Sequence, residues 1–410
     1  MWRTRQRQRG IVAVIVALAI LSLLAMAGLA IDIGYLVLNK SRLQSTVDAA
    51  ALAGAKALDL KFGQPAAEKA ARAAFTENAK FFEISRPPDP EALIVEFSST
   101  LDPFAPGSTP AHYVRARYET MSMSTSFTLL LGFRHLNTRA SAVAGPSAAI
   151  PNPCDLFPVA VCIVPGSAAP HWGYPTYGEA GNNVTLLKLA SSASGTTFGP
   201  GNYQLIRIGG TGSANLRRNL AGGASCAKYG GMTEIDPEPG NMSGPIAQGV
   251  NTRFGLYSGP IGGADEYPPD LVVTSPASPL KSSDGTTITN SQGELIDSID
   301  DVDYSYKDYL ADIGATPPRF TNPDDGWPDR RKVTIPFVDC KDPVSGTSGT
   351  LPVRGFGCFF LLQPVEQSGG EGWMFGQFVD ECSASGNPGQ GGGPGPYKIV
   401  LHNDPGSDDS

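Results

Sequence analysis

The residues best suited to chemistry are four carboxylates, Asp297, Asp300, Asp301 and Asp303, crowded into one short run. Clustered carboxylate oxygens suit a hard cation such as Ca²⁺. The spacing departs from an EF-hand loop, which needs glycine at its sixth place and glutamate at its twelfth, so the run reads first as a solvated acidic loop and only second as a cation site. Asp324 and Asp325, with Asp329 beyond Trp327, form a second acidic turn of the same kind. His112, His135, His171 and His402 stand far apart without a local partner pattern. There is no Gly-x-Ser-x-Gly elbow, His-Glu-x-x-His helix or Walker loop. Gly209-Gly210-Thr211-Gly212 resembles part of a dinucleotide loop, but Asn215 stands where its third glycine should be. A glycosidase needs only two carboxylates brought together in space, which a linear sequence leaves open. The expectation is no catalytic residue and no cofactor, with the Asp297–Asp303 run as a weak Ca²⁺ candidate.

Two other groups are suited to structure and contact. Trp172, Tyr174 and Tyr177 fall in one short loop and are of the types that anchor interfaces; the alternative is that they pack on the core of their own domain. The six cysteines, Cys154, Cys162, Cys226, Cys340, Cys358 and Cys382, all lie in the later part of the chain. An even number confined there reads as structural disulfides made in an oxidising compartment. Their pairing does not follow from sequence; two strand-like runs around a Gly-rich turn favour Cys340 with Cys358.

The element that positions all of this is at the start. From Gly10 to Ile31 the chain carries no charge and is apolar throughout, and about 20 such residues cross a hydrocarbon layer roughly 30 Å thick as a helix. Arg3, Arg5, Arg7 and Arg9 precede the run, and Lys40 and Arg42 follow it. The positive-inside bias then puts the N-terminus in the cytoplasm. A cleaved secretory signal is the competing reading, with Ala25-Met26-Ala27 as its cleavage site. The apolar run continues past Ala27, however, and Leu36, Leu43, Val47, Ala51, Gly54 and Leu58 keep helical spacing beyond it. Either reading exports the body. Ala30 and Gly34 are spaced as small-xxx-small, which lets a second helix approach closely.

Arg9-Gly10, the apolar span, Gly28-Leu-Ala-Ile-Asp32-Ile-Gly34, Leu43-Gln44 and Asp48-Ala-Ala-Ala-Leu-Ala-Gly-Ala55 resemble the N-terminal module of TadG-like proteins of tight-adherence (Tad/Flp) pilus systems. True prepilins of that pathway carry a glutamate five residues beyond the cleavage glycine; counted from Gly10 that position is Ile15, so the resemblance does not extend to prepilin processing. It implies an anchored assembly protein that meets pilins, pseudopilins or envelope-spanning components on the exported side of the inner membrane, with its body periplasmic or otherwise extracytoplasmic. An anchored envelope hydrolase of glycan or peptide, or an anchored adhesin or sensor, remains as the alternative.

Composition describes the exported body. The net charge of −8 becomes −12 once the four arginines ahead of the span are set aside, which argues against nucleic acid and anionic lipid as partners of that body. Gly (48) and Pro (35) make up about a fifth of the chain, and their excess after Pro146 fits short strands and many turns. The fold class expected is α+β. A basic segment (1–10) and a transmembrane helix (11–38) lead into a pilin-like helix-plus-sheet unit (39–146). A β-rich, disulfide-stapled domain (147–403) and a flexible tail (404–410) follow. In the proximal unit a first helix runs to about Lys61 and a second from about Ala66 to Phe82. Strands follow at Leu93–Phe97, His112–Met123 and Leu136–Val143, with a short helix at Phe127–Phe133. The distal strands expected are Phe157–Val164, Val184–Leu189, Tyr203–Ile208, Leu271–Thr274, Lys332–Val338, Gly357–Gln363, Met374–Val379 and Tyr397–Leu401. A long ordered loop pinned by Cys226 fills Gly209–Gly263, and Ser383–Pro396 is a flexible turn.

Overall fold

The structure, a computed structural model, describes residues 9–82, 87–125, 127–132, 134–150, 153–189, 198–199, 201–223, 233–342, 344, 346, 349–366, 372–379, 382, 384, 396–404 and 407. The chain divides into two compact units, 1–145 with 399–410, and 146–398.

The proximal unit is organised by one helix, α1 (Arg9–Asp59). Its apolar part is the one segment among the described residues long and apolar enough to cross a membrane, with a mean hydropathy of 2.8 over its best window. Beyond it the same helix turns a small-residue face inward, and Leu43, Val47, Ala50, Ala51 and Ala55 are buried. Lys61 ends the helix in the left-handed region at φ 63°, and Gly63, at φ 82°, starts α2 (Gln64–Ala79) with Pro65 in its first turn, where a missing N–H is harmless. Ala67, Ala71, Phe75 and Ala79 recur every four residues and form the buried stripe of α2. The two helices approach closely at Gly54, where an added Cβ would stand 3.1 Å from Val114 and 3.3 Å from the Ala67 carbonyl.

Against this hairpin lies an antiparallel sheet of β1 (Ile94–Ser98), β2 (Tyr113–Ser124) and β3 (His135–Pro146), completed by the strand Ile399–His402. Val114, Ala116 and Tyr118 alternate inward along β2, and Tyr118 stacks on Phe75 at 5.6 Å. On the opposite face Arg115 and Arg117 share Glu96. The sequence reading placed Tyr397–Leu401 in the distal domain and began a flexible tail at Asp404. Instead Ile399–His402 pairs in the proximal sheet, and the Asp404 carboxylate is buried, accepting from the Ser141 hydroxyl and lying 3.4 Å from Arg115.

In the distal unit the strands are β4 (Val161–Cys162), β5 (Val184–Lys188), β6 (Asn202–Ile206), β7 (Glu234–Ile235), β8 (Pro237–Pro239), β9 (Lys281–Ser282), β10 (Ile288–Thr289), β11 (Lys332–Val338), β12 (Leu351–Leu361) and β13 (Met374–Phe378). The main sheet has the order β4-β11-β12-β13-β5, with β7 paired to β12. The long loop expected over Gly209–Gly263 is largely structured: α3 (Ser213–Arg218) and α4 (Ser243–Val250) lie in it. Leu216, Leu220, Ile246, Val250 and Phe254 from this stretch join Phe157, Ile335, Phe337 and Phe359 in one core. These turns are short and glycine-rich, and tertiary burial rather than helix propensity holds them. Cys226 and most of Ser383–Pro396 lie outside the described residues. A fifth helix, α5 (Tyr306–Ile313), opens on a capping box between Ser305 and Asp308.

Candidate functional site

Beside the apolar part of α1, three donors converge on one acid. Asp32, on α1 at the end of the apolar run, is buried. Its carboxylate accepts from the amides of Phe127 and Thr128 at 2.9 and 2.6 Å and from the Thr128 hydroxyl at 2.9 Å. This seats the 3₁₀ turn Thr128–Leu131, which connects β2 to β3, against the helix. The turn comes close because Gly28, one helical turn earlier, has no side chain: an added Cβ would lie 2.5 Å from that of Phe127. Sequence reasoning quoted Asp32 as part of a family-like pattern and expected a short helix at Phe127–Phe133. Their contact, spanning 96 residues, had no local signal. Ala30 and Gly34 are both exposed on α1, and a Cβ added at Gly34 would meet no atom of the described residues within 4 Å.

The aromatic loop lies differently from the expected interface. Tyr174 is packed against Phe337, Phe359 and Phe378 at 5.4, 5.7 and 5.9 Å, and its hydroxyl donates to the Cys162 carbonyl. Burial pushes its phenol up to about 12. Trp172 lies over β12, its Nε1 3.0 Å from where a Cβ on Gly355 would be, and Tyr177 meets Tyr306 edge to face at 5.2 Å. The loop serves its own unit's core, and Tyr177 alone of the three is classed as exposed. Apolar packing outweighs display here because the strands beneath present three phenylalanines to be covered.

The Asp297–Asp303 run binds backbone amides of its own neighbourhood, and Asp329 of the second run pairs with Lys332. Asp301 closes a capping box with Ser298 and accepts from the Asp297 and Ser298 amides, while Asp303 accepts from the Ser278 amide. Among the described residues no group of three or more His, Cys, Asp or Glu is placed to hold a metal. The buried acids each have their own polar partner: Asp59 has Lys56, Glu238 has Arg207, and Asp404 has Arg115. At Gly212 the Glu238 carboxylate takes up the amide, so the glycine-rich segment leads its short helix toward an acid.

Two fully buried charges, Arg331 and Asp270, help to hold the distal unit together. Arg331 is fully buried and donates to the carbonyls of Leu361, Val272, Thr274 and Leu362, with Phe360 and Phe254 4.3 and 4.7 Å away from its guanidinium. Asp270 accepts from the Arg331 amide, the Val272 amide and the Tyr309 hydroxyl. Burial lifts the Asp270 carboxyl to about 6 and lowers Arg331 to about 10, each partly offset by the opposite charge. Lys188 is also buried; its amine donates to Asn241, and burial brings it down to about 7.

The disulfides are Cys162–Cys340 and Cys358–Cys382, and Cys154 is disulfide-bonded as well. The Cys340–Cys358 pair favoured from sequence is therefore wrong. Antiparallel β11 and β12 set Cys358 opposite Thr334, six residues before Cys340, or roughly 20 Å along an extended strand. That is far beyond the reach of a disulfide.

Comparison with known proteins bears on one part of the chain. Residues 10–57 match the family model described as putative Flp pilus-assembly TadE/G-like. No curated protein and no solved structure matches the chain.

Proposed function

We propose that this chain is a membrane-anchored assembly component of a Tad (Flp) pilus system that works by protein–protein contact on the exported side. The observation that carries the reading is the coincidence of the family match at 10–57 with α1. The matched stretch contains the whole apolar run and the small-residue face on which the proximal unit folds, so the pilus-related module is the scaffold of that unit. An uninterrupted helix from span to folded body transmits position rigidly, which suits a part that must present a surface at fixed height above the membrane. The two disulfides support an extracytoplasmic location. Partners are pilins, pseudopilins or envelope-spanning proteins, with one helix in the membrane.

Crosslinking the intact protein in cells and identifying what co-purifies tests this reading. Recovery of pilus-system proteins is the expected result. Recovery of glycan or peptide envelope fragments alone points instead to an anchored hydrolase.

A further inference from the structure

The turn that Asp32 fastens carries two apolar side chains that its own unit does not bury. Phe127 and Leu129 are 43% and 49% exposed, while Thr128 between them is buried. Single exposed apolar residues are ordinary on a protein surface; what sets these apart is their height. An α-helix rises 1.5 Å per residue, so Gly28 and Asp32 lie about 24 and 30 Å along the axis from Val12. With a hydrocarbon layer roughly 30 Å thick entered just after Arg9, its far boundary falls at the level of these two contacts.

We infer that the Thr128–Leu131 turn, with Phe127, is a second membrane contact, seated in the interfacial layer of the lipid leaflet on the side where the folded body lies. The inference rests on the anchor reading of α1. Three observations name lipid as the occupant. The apolar surface of the turn continues that of α1, where Leu21, Leu23, Leu24 and Met26 are all more than 60% exposed. Asp32 explains itself in this setting: a carboxylate at the edge of hydrocarbon is costly unless satisfied, and the turn satisfies it. Lys40 and Arg139 are exposed beside a recess of about 340 Å³ that they line with Leu36 and Glu119. Lys40 lies about 12 Å beyond Asp32 along the axis, just past a headgroup layer roughly 5–8 Å thick, and because helical side chains lean toward the N-terminus its long cationic side chain reaches back toward the phosphates. The continuous span sets the height of the body but leaves rotation about its own axis open; an apolar turn beside it fixes which way the body faces.

The test places a nitroxide at Leu129→Cys in the full chain, reconstituted in vesicles of phosphatidylethanolamine and phosphatidylglycerol. Leu21→Cys in the span and Lys69→Cys on the exposed side of α2 serve as references. Accessibility to oxygen, which partitions into lipid, and to a water-soluble nickel complex is read at each. The expected result is oxygen access at 129 below that at 21, which lies near mid-bilayer, and above that at 69, with nickel access several-fold below that at 69. Nickel access at 129 equal to that at 69, with residue 21 protected, overturns the inference and leaves the anchor standing. Residue 21 open to nickel overturns the anchor itself. Protection of 129 from both agents means that protein covers the turn, a second copy or a neighbouring helix, and overturns the lipid contact.

Discussion

The two units solve the same problem, a stably packed core, with different materials. The proximal unit is a frame of neighbours: a helical hairpin, then a β-hairpin, with apolar faces spaced every three to four or every two residues. Its distant contacts, Thr128 to Asp32 and Ser141 to Asp404, are polar pins on that frame. The distal unit draws its core from short segments far apart in sequence and closes it with a disulfide across 178 residues and a buried arginine. Local packing tolerates the loss of one pin; a core assembled from scattered pieces depends on its central ties.

That contrast can be tested one tie at a time in the detergent-solubilised full chain. Trp172, Trp327 and Trp373 report on the distal unit, and the helical signal is dominated by α1 and α2. Arg331→Met removes the guanidinium that binds four backbone carbonyls and offsets the charge of buried Asp270. Stranding buried carbonyls costs about 1–3 kcal/mol for each group, so the tryptophan transition should collapse in denaturant while the helical signal survives. Replacing Cys162 and Cys340 together by Ala frees a long loop in the unfolded chain and should lower the same transition by about 2–4 kcal/mol. In the proximal unit, Asp404→Ala removes a buried acceptor from Ser141 and Arg115 at about 1–2 kcal/mol, visible in the helical signal. An effect there equal to that of Arg331→Met would erase the contrast.

The smallest effect is a pH slope. Folded Lys188 titrates near 7 against an ordinary value of 10.5, so between those values the folded state has shed a proton that the unfolded chain still holds. Stability contributed by this group therefore rises with pH across that window, by at most about 1.4 kcal/mol per pH unit. Lys188→Met should flatten the slope in denaturant titrations at pH 7, 8 and 9. Asp270 acts in the opposite sense and lower down: with its folded value raised to about 6 from 3.8, its contribution falls as pH rises between those two values.

The same contrast explains what could be read from sequence. Helix α1, the Ala-Phe stripe of α2, and the alternation of Val114, Ala116 and Tyr118 were legible because each is a periodic pattern within one element. Strands β11 and β13 were legible as apolar runs bounded by turns. Helices α3, α4 and α5 were not, since six to eight residues hold too few repeats to show a period. Tyr174 looked like a contact residue because its composition cue is shared by interfaces and cores, and only the three phenylalanines beneath it decide between them. Asp32 sat in plain view, but its meaning depends on a turn 96 residues away.

The account stands on α1 staying whole and in the membrane. Intact mass of the protein extracted from cells, taken with its resistance to alkaline carbonate, tests this most directly. A chain that begins upstream of Ala27 and stays with the membrane pellet is the predicted result. A chain that begins after Ala27 and appears in the soluble fraction contradicts it.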